Sequence, residues 1–261
     1  MCTVTLVSLN PAVASTGVDV SGDAARGRVL RMACNRDERH ARPAALPPEV
    51  REIGSRRVIL PIDPASDGTW VAVNDAGLAA TVLNVNLGPE GAADARQRRS
   101  RGTLIPPLMG CASVVEADRL CAAIDPREYA PFRLILVDRT RVVHYRSDGE
   151  SIERVCATLH NHPSLYTSSG LGDALVEGPR RALFETMFSS NDQSAAIQDA
   201  FHRHAWSDRR HLSVCMDRAD ARTVSHTVVE IRPDGVRMTY IPDAPDRGRP
   251  LAPLSLPGTE G

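Results

Sequence analysis

Residues 69–85 read TWVAVNDAGLAATVLNV. Two apolar, β-branched runs, 69–73 and 78–85, flank Asn74-Asp75-Ala76-Gly77, residues that favour the tight reversal joining two antiparallel strands. The pattern recurs in Phe132–Val137 and 142–145 around Asp138-Arg139-Thr140, and in 223–231 and 236–241 around Pro233-Asp234-Gly235. Cys2–Leu9 and 29–34 form another expected pair, joined by a Gly/Ala/Ser/Asp-rich loop over 10–27, and a further strand is expected over 212–216. A polar loop is expected over 87–101. Helical periodicity is confined to 112–124, 180–188 and 194–206. Adjacent hairpins interrupted by helices, with no βαβ alternation, Rossmann fingerprint or nucleophile elbow, predict an α+β chain of two antiparallel sheets covered by helices.

The chain has 261 residues, enough for one large core, with 42% hydrophobic and 24% charged residues and a net charge of −1. One domain over 1–242 is expected, followed by a Pro/Gly-rich, flexible tail over 243–261. The charge balance gives no global attraction to nucleic acid or an anionic membrane. All 31 basic residues are arginine. Lacking lysine, the chain cannot be a Schiff-base or pyridoxal-phosphate enzyme or a P-loop NTPase, each of which needs an amine at a fixed place. No apolar run reaches the roughly 20 residues that span a bilayer, and no basic stretch precedes the first apolar one. The six cysteines show no CxxC spacing, which points to reduced thiols and a cytoplasmic location.

Chemistry concentrates in two places. Cys2 opens the first strand directly behind Met1. The second place is Cys34-Asn35-Arg36-Asp37-Glu38, where a strand expected over 29–34 runs into four polar residues before the proline-rich 42–48. Locally, the polar run reads as a solvated strand end whose ion pairs are worth ~0–1 kcal/mol. Cys2 alone reads as a small buried residue.

Taken together, the motifs say more. Met1-Cys2, Asn35-Arg36-Asp37-Glu38, Arg42-Pro43, Gly68-Thr69-Trp70-Val71-Ala72-Val73-Asn74, Gly77-Leu78 and Leu83-Asn84 occur in an order that resembles the NRDE family, also called the transport and Golgi organisation 2 family. The resemblance covers about the first 110 residues closely and the C-terminal half loosely, through 219–230. That family is similar to the N-terminal-nucleophile (Ntn) hydrolases, among them the bile-salt and penicillin V amidases and the isopenicillin N acyltransferases. The resemblance implies a four-layer αββα sandwich and a nucleophilic cysteine at the start of a central strand. Removal of Met1 would give Cys2 a thiol of ordinary pKa ~8.5 and an α-amine of ~8, so the amine serves as general base.

Other roles come by resemblance, residue by residue. Arg36 resembles the arginine beside the nucleophile. Those hydrolases place an aspartate three residues after that arginine, where this chain has Arg39, leaving Asp37 as the candidate substitute. Asn84 resembles the oxyanion donor, a role worth ~3–4 kcal/mol. Asn161, two residues before Pro163, and Arg181, after Gly178-Pro179-Arg180, resemble later site residues; a turn asparagine and an exposed helix arginine are the competing readings.

Outside that set, His160 and His162 share one face of an extended segment but have no third ligand nearby in sequence. His202 and His204 are spaced to point apart on a helix. The run Arg96–Arg101 reads as a solvated loop, with contact to a phosphate-bearing ligand or nucleic acid as the competing readings, since no aromatic residue interleaves with it. The expected function is a cysteine amidohydrolase or acyltransferase on a small amide or acyl substrate, acting on non-peptide C–N bonds with no cofactor, no nucleic acid and no membrane span. The alternative is a non-catalytic haem or lipid/acyl-CoA binding and trafficking protein in which the same cleft holds the ligand. A purely structural or interaction module has little support beyond the polar loops.

Overall fold

A computed structural model describes residues 2–9, 27–86, 98–158, 162–189 and 193–259. Thirteen strands among them form two antiparallel sheets. The first contains β1 (Cys2–Leu9), β2 (Val29–Arg39), β10 (Ser164–Thr167), β11 (Ala221–Arg232), β12 (Gly235–Ile241) and β13 (Leu254–Pro257), in the order β10-β1-β2-β11-β12-β13. The second runs in sequence order through β3 (Leu46–Ile53), β4 (Arg56–Ile62), β5 (Val71–Asn74), β6 (Ala79–Asn84), β7 (Phe132–Val137), β8 (Arg141–Ser147) and β9 (Ile152–Thr158).

The two sheets face each other across a core that includes Val4, Leu6, Met32, Ile59, Val73, Leu83 and Ile135. A second apolar cluster lies between the seven-stranded sheet and two helices, α1 (Ile105–Leu108) and α2 (Val114–Cys121). A third, built on Val7, Phe184 and Phe201, lies between the six-stranded sheet and α3 (Asp173–Met187) and α4 (Ala195–Arg203). The result is the expected αββα layering. No helix among the described residues is long and apolar enough to cross a membrane.

The turn between β5 and β6 forms as its residues dictate. Gly77 takes a φ of 80°, Asn74 Oδ1 accepts from the Ala76 and Leu78 amides, and Asn74 Nδ2 donates to the Met109 and Cys111 carbonyls at 2.9 and 2.8 Å. One asparagine thus closes the hairpin and ties it to the outer helical layer.

Several expectations differ from the fold. Strand β3 falls across the proline-rich segment 46–48, because it is an exposed edge strand where missing N–H donors are tolerated. Strands β4, β9 and β10 were not anticipated. Strand β2 continues to Arg39 instead of ending at Cys34, since its polar side chains have partners on both faces. Residues 210–212 form a short 3₁₀ turn, and no strand forms over 212–216. Helix α3 starts at Asp173, carrying Pro179 inside it, and not at Arg180. The segment after Asp243 is no loose tail: Leu254–Pro257 pair with β12, and Leu256 is buried. Most of the loop expected over 10–27 and 87–101 lies outside the described residues, as do His160 and Asn161.

The outer face of the six-stranded sheet carries a buried polar network. Asn35 Oδ1 accepts from Nδ1 of His226 at 2.7 Å and of His202 at 3.1 Å, while its Nδ2 donates to the carbonyls of His202 and Val214. Nε2 of His202 accepts from Thr5 Oγ1 at 2.8 Å, and Gln198 Nε2 donates to the same hydroxyl. Arg31 closes the network on Gln198 and Asp199. All four hydrogen-bonding positions of the Asn35 amide are filled, so α4 is fixed to β1, β2 and β11 by directional contacts.

Both histidines are neutral in this arrangement, because burial disfavours the imidazolium. The His226 pKa falls to about 3, and that of His202 lies well below its ordinary value. The unfolded chain therefore binds more protons than the folded one below pH ~6.5, and stability is lost as pH falls from there toward 3. Each histidine contributes up to about 1.4 kcal/mol per pH unit in that window. The urea midpoint should fall steeply between pH 6.5 and 5, and His226→Gln should roughly halve that dependence. A flat profile would contradict the neutral pair.

Candidate active site

The pleat of β2 sorts the polar motif onto two faces. Cys34, Arg36 and Glu38 point between the sheets, while Asn35 and Asp37 point toward the helices. In the antiparallel ladder Cys2 pairs with Arg36, and Val4 pairs with Cys34. The first residue of β1 is thereby flanked by a guanidinium and a second thiol.

The Cys2 side chain is 4% exposed and lines a cleft of about 780 Å³ at one end of the two sheets. The Cys34 thiol hydrogen-bonds to Cys2, which lowers the Cys2 pKa and raises that of Cys34 well above the ordinary thiol value. Burial and the Asp37 carboxylate oppose the lowering, and Arg36 adds to it. Of the two buried thiols, Cys2 is therefore the one that ionises first. Its backbone nitrogen donates to Ser168 Oγ at 3.1 Å, and the Ser168 amide donates to the Cys2 carbonyl at 2.9 Å.

Arg36 is buried, stacks on Trp70 at 4.6 Å from the ring centroid, and faces Asp63 at 3.5 Å and Glu38 at 3.6 Å. Arg42 makes the closer pair with Asp63, at 2.5 Å. Asn84, the last residue of β6, lines the same cleft. Cys2, Arg36 and Asn84, far apart in sequence, are thus brought together.

Asp37 is placed behind the strand. It is buried, accepts from Thr223 Oγ1 at 2.7 Å, and its pKa is raised by burial against the opposing field of Arg180. Arg181 is not part of the cleft: it is exposed on α3 and pairs with Glu177 one turn earlier at 2.9 Å. The inward arginine is its neighbour Arg180, 1% exposed, which donates to Thr3 Oγ1, Thr167 Oγ1 and the carbonyls of Leu212 and Ser213 at 2.7–3.0 Å. Arg180 therefore bolts β1 to β10 beside Cys2. The buried stripe Val176, Arg180, Phe184 gives the signal that separates the two arginines. Ser168, by contrast, had none, since it is one serine among several in a loop.

His202 and His204 do not assemble a site. His202 belongs to the Asn35 network, and His204 stacks edge-on against Trp206 at 5.0 Å. No group of three or more His, Cys, Asp or Glu side chains among the described residues could hold a metal ion.

One backbone contact shapes the cleft wall. Gly68 packs so closely on Gly102 that a Cβ on Gly68 would lie 2.7 Å from the Gly102 carbonyl carbon, and the Thr69 amide donates to the Gly102 carbonyl at 3.1 Å. This approach holds Trp70 and Arg101 on the same wall.

Solved structures of similar fold include the penicillin V acylase of Agrobacterium tumefaciens (13% identity, TM-score 0.50, covering 97% of this chain and 84% of that one). A C2A mutant of the conjugated bile acid hydrolase of Clostridium perfringens aligns at 12% identity and TM-score 0.52, covering 99% and 97%. The Caenorhabditis elegans ortholog of N-acylethanolamine-hydrolyzing acid amidase aligns at 12% and 0.52, covering 97% and 100%. At these identities the likeness is one of fold. No curated protein matches the chain. The sequence model described as Transport and Golgi organisation 2 matches residues 23–241, which is most of the chain. By that match, this chain belongs to the transport and Golgi organisation 2 family.

Proposed function

We propose that this chain is a cysteine Ntn hydrolase or acyltransferase acting on a small amide or acyl substrate. The observation that carries the reading is the pairing of Cys2 with Arg36 inside a cleft that also holds Asn84. The Ntn fold of the structural neighbours supports it, as does the name of each: an acylase, a bile acid hydrolase and an acid amidase.

In this proposal, removal of Met1 gives Cys2 a free α-amine beside its own thiol. The amine takes the Sγ proton, and Sγ attacks the substrate carbonyl carbon. The Asn84 side-chain amide is the donor for the oxygen that becomes negative, and Arg36 favours the thiolate electrostatically. Collapse expels the leaving amine, which takes the proton back from the α-ammonium. Water or an acceptor then cleaves the thioester with the same amine as base.

The amine-orienting role falls to Ser168 instead of Asp37. By accepting one N–H, Ser168 Oγ turns the nitrogen lone pair away from itself and stabilises the ammonium form. Under the haem-binding alternative, Cys2 is the axial-ligand candidate among the described lining residues, which include no histidine, tyrosine or methionine.

Intact-mass measurement before and after treatment with a p-nitrophenyl ester tests the proposal. The expected result is complete loss of Met1 and one acyl group on Cys2, absent in Cys2→Ala. Quantitative retention of Met1 would overturn the mechanism. Saturable haem binding that needs Cys2, with no acyl adduct, would support the alternative.

Ser168→Ala is expected to reduce the acylation rate about tenfold, part of the usual contribution of a general base. It should also move the acidic limb of the pH–rate profile to lower pH, because the ammonium loses an acceptor and the amine is free at lower pH. Ser168→Thr should restore both; an unshifted profile in a folded Ser168→Ala protein would rule the role out.

A further inference from the structure

We infer that the cleft takes a substrate carrying a carboxylate or phosphate beside its acyl carbon, and that Arg101 receives this anionic group. The inference rests on the acyl-transfer reading above and adds the substrate class.

The electrical balance of the cleft is the starting point. Among the described residues five arginines line it, Arg36, Arg39, Arg42, Arg101 and Arg218, against three carboxylates, Glu38, Asp63 and Asp220. Arg36 and Arg42 share Asp63 and Glu38, and Arg218 faces Asp220 at 2.7 Å. Arg39 stands in solvent at the rim. Arg101 is different. It is partly buried, and its one hydrogen bond to a described residue is a long contact from Nη1 to the Pro131 carbonyl, at 3.5 Å. No described carboxylate lies within ion-pair distance of it.

Burial lowers the Arg101 pKa, nearby Arg42 acts in the same direction, and Glu38 and Cys2 oppose them. A guanidinium taken from water without a counter-ion is an unfavourable arrangement that a bound anion relieves. The opposing field of Cys2 also places Arg101 within Coulombic reach of the nucleophile.

A second, independent observation points the same way. Trp70 Nε1 and Arg218 Nη1 are buried with no hydrogen-bond acceptor, and both residues line the cleft. These unmet groups on the described cleft residues are all donors, so the missing partner is an acceptor-rich one. Arg101 is also held in place: it opens the 3₁₀ turn Arg101–Leu104, capped by Ser100, and the next residue, Gly102, is the one packed on Gly68. A fixed, planar cation suits bidentate recognition of an oxyanion.

Two electrophiles of nearly the same size test this without a known substrate. Iodoacetate is anionic and iodoacetamide neutral, and both alkylate a thiolate, forming the S–C bond and releasing iodide. The rate ratio at Cys2, read by peptide mass spectrometry, is compared with the ratio for free cysteine. The wild-type ratio should exceed that of free cysteine by about tenfold and fall toward it as salt is added. Arg101→Gln should abolish the preference while leaving the iodoacetamide rate within about threefold of wild type, and Arg101→Lys should retain most of it.

Protection of Cys2 from iodoacetamide by inorganic phosphate, or instead by acetate, separates the two oxyanions. A wild-type ratio equal to that of free cysteine, or one unchanged in a folded Arg101→Gln protein, would overturn the inference and leave the acyl-transfer reading standing. Failure of both reagents to alkylate Cys2 would remove both.

Discussion

One register holds the candidate site together: Cys2 opposite Arg36 in the β1–β2 ladder. Side chains alternate along a strand, so a slip of one residue would turn Arg36 toward the helices and bring Asn35 or Asp37 into the cleft. The layer behind the sheet resists that slip. Asn35 fits only between His202 and His226, Asp37 meets Thr223, and Arg180 ties Thr3 to Thr167. The motif Asn35-Arg36-Asp37-Glu38 is thus two devices interleaved. Its odd-numbered members anchor the strand from behind, and its even-numbered members face the cleft.

The electrostatic arrangement follows from that anchoring. A thiol buried in an apolar core would ordinarily be harder to ionise. Here Cys34 gives its hydrogen bond to Cys2, and Arg36 sits at the neighbouring position, so Cys2 ends with a lowered pKa despite its burial. The cost passes to Cys34, which is held protonated. One thiol ionises more readily because the other is kept from doing so.

Much of this was legible in the chain. Hairpins announced by Asn74–Gly77 and Pro233–Gly235 formed as expected, because turn chemistry is local and the flanking runs are strongly apolar. The ordered motifs gave the family and the sandwich. What escaped reading depended on partners distant in sequence. Strand β3 looks like a loop because edge strands tolerate proline and exposure, and β2 looks finished at Cys34 because the groups that satisfy Asn35 and Asp37 come from 202, 223 and 226. Arg180 and Arg181 are alike to a local eye, and only helix phase separates them. Ser168 carries no motif, and Arg101 ends an arginine run that reads as a solvated loop; folding bonds the first to Cys2 and sets the second in the wall of the same cleft.

The final strand has a consequence for the behaviour of the folded protein in solution. Strand β12 is seven residues long, buried at all positions but Arg237 and Thr239, and its outer edge is covered by the four residues of β13. Pro253 precedes β13 and Pro257 ends it, so the sheet finishes in a short strand poorly suited to recruiting another chain. Cutting the chain before Leu254 would remove none of the described cleft residues but open a long β12 edge to pairing between molecules. Residues that touch no part of the cleft would then decide whether the protein stays dispersed or aggregates.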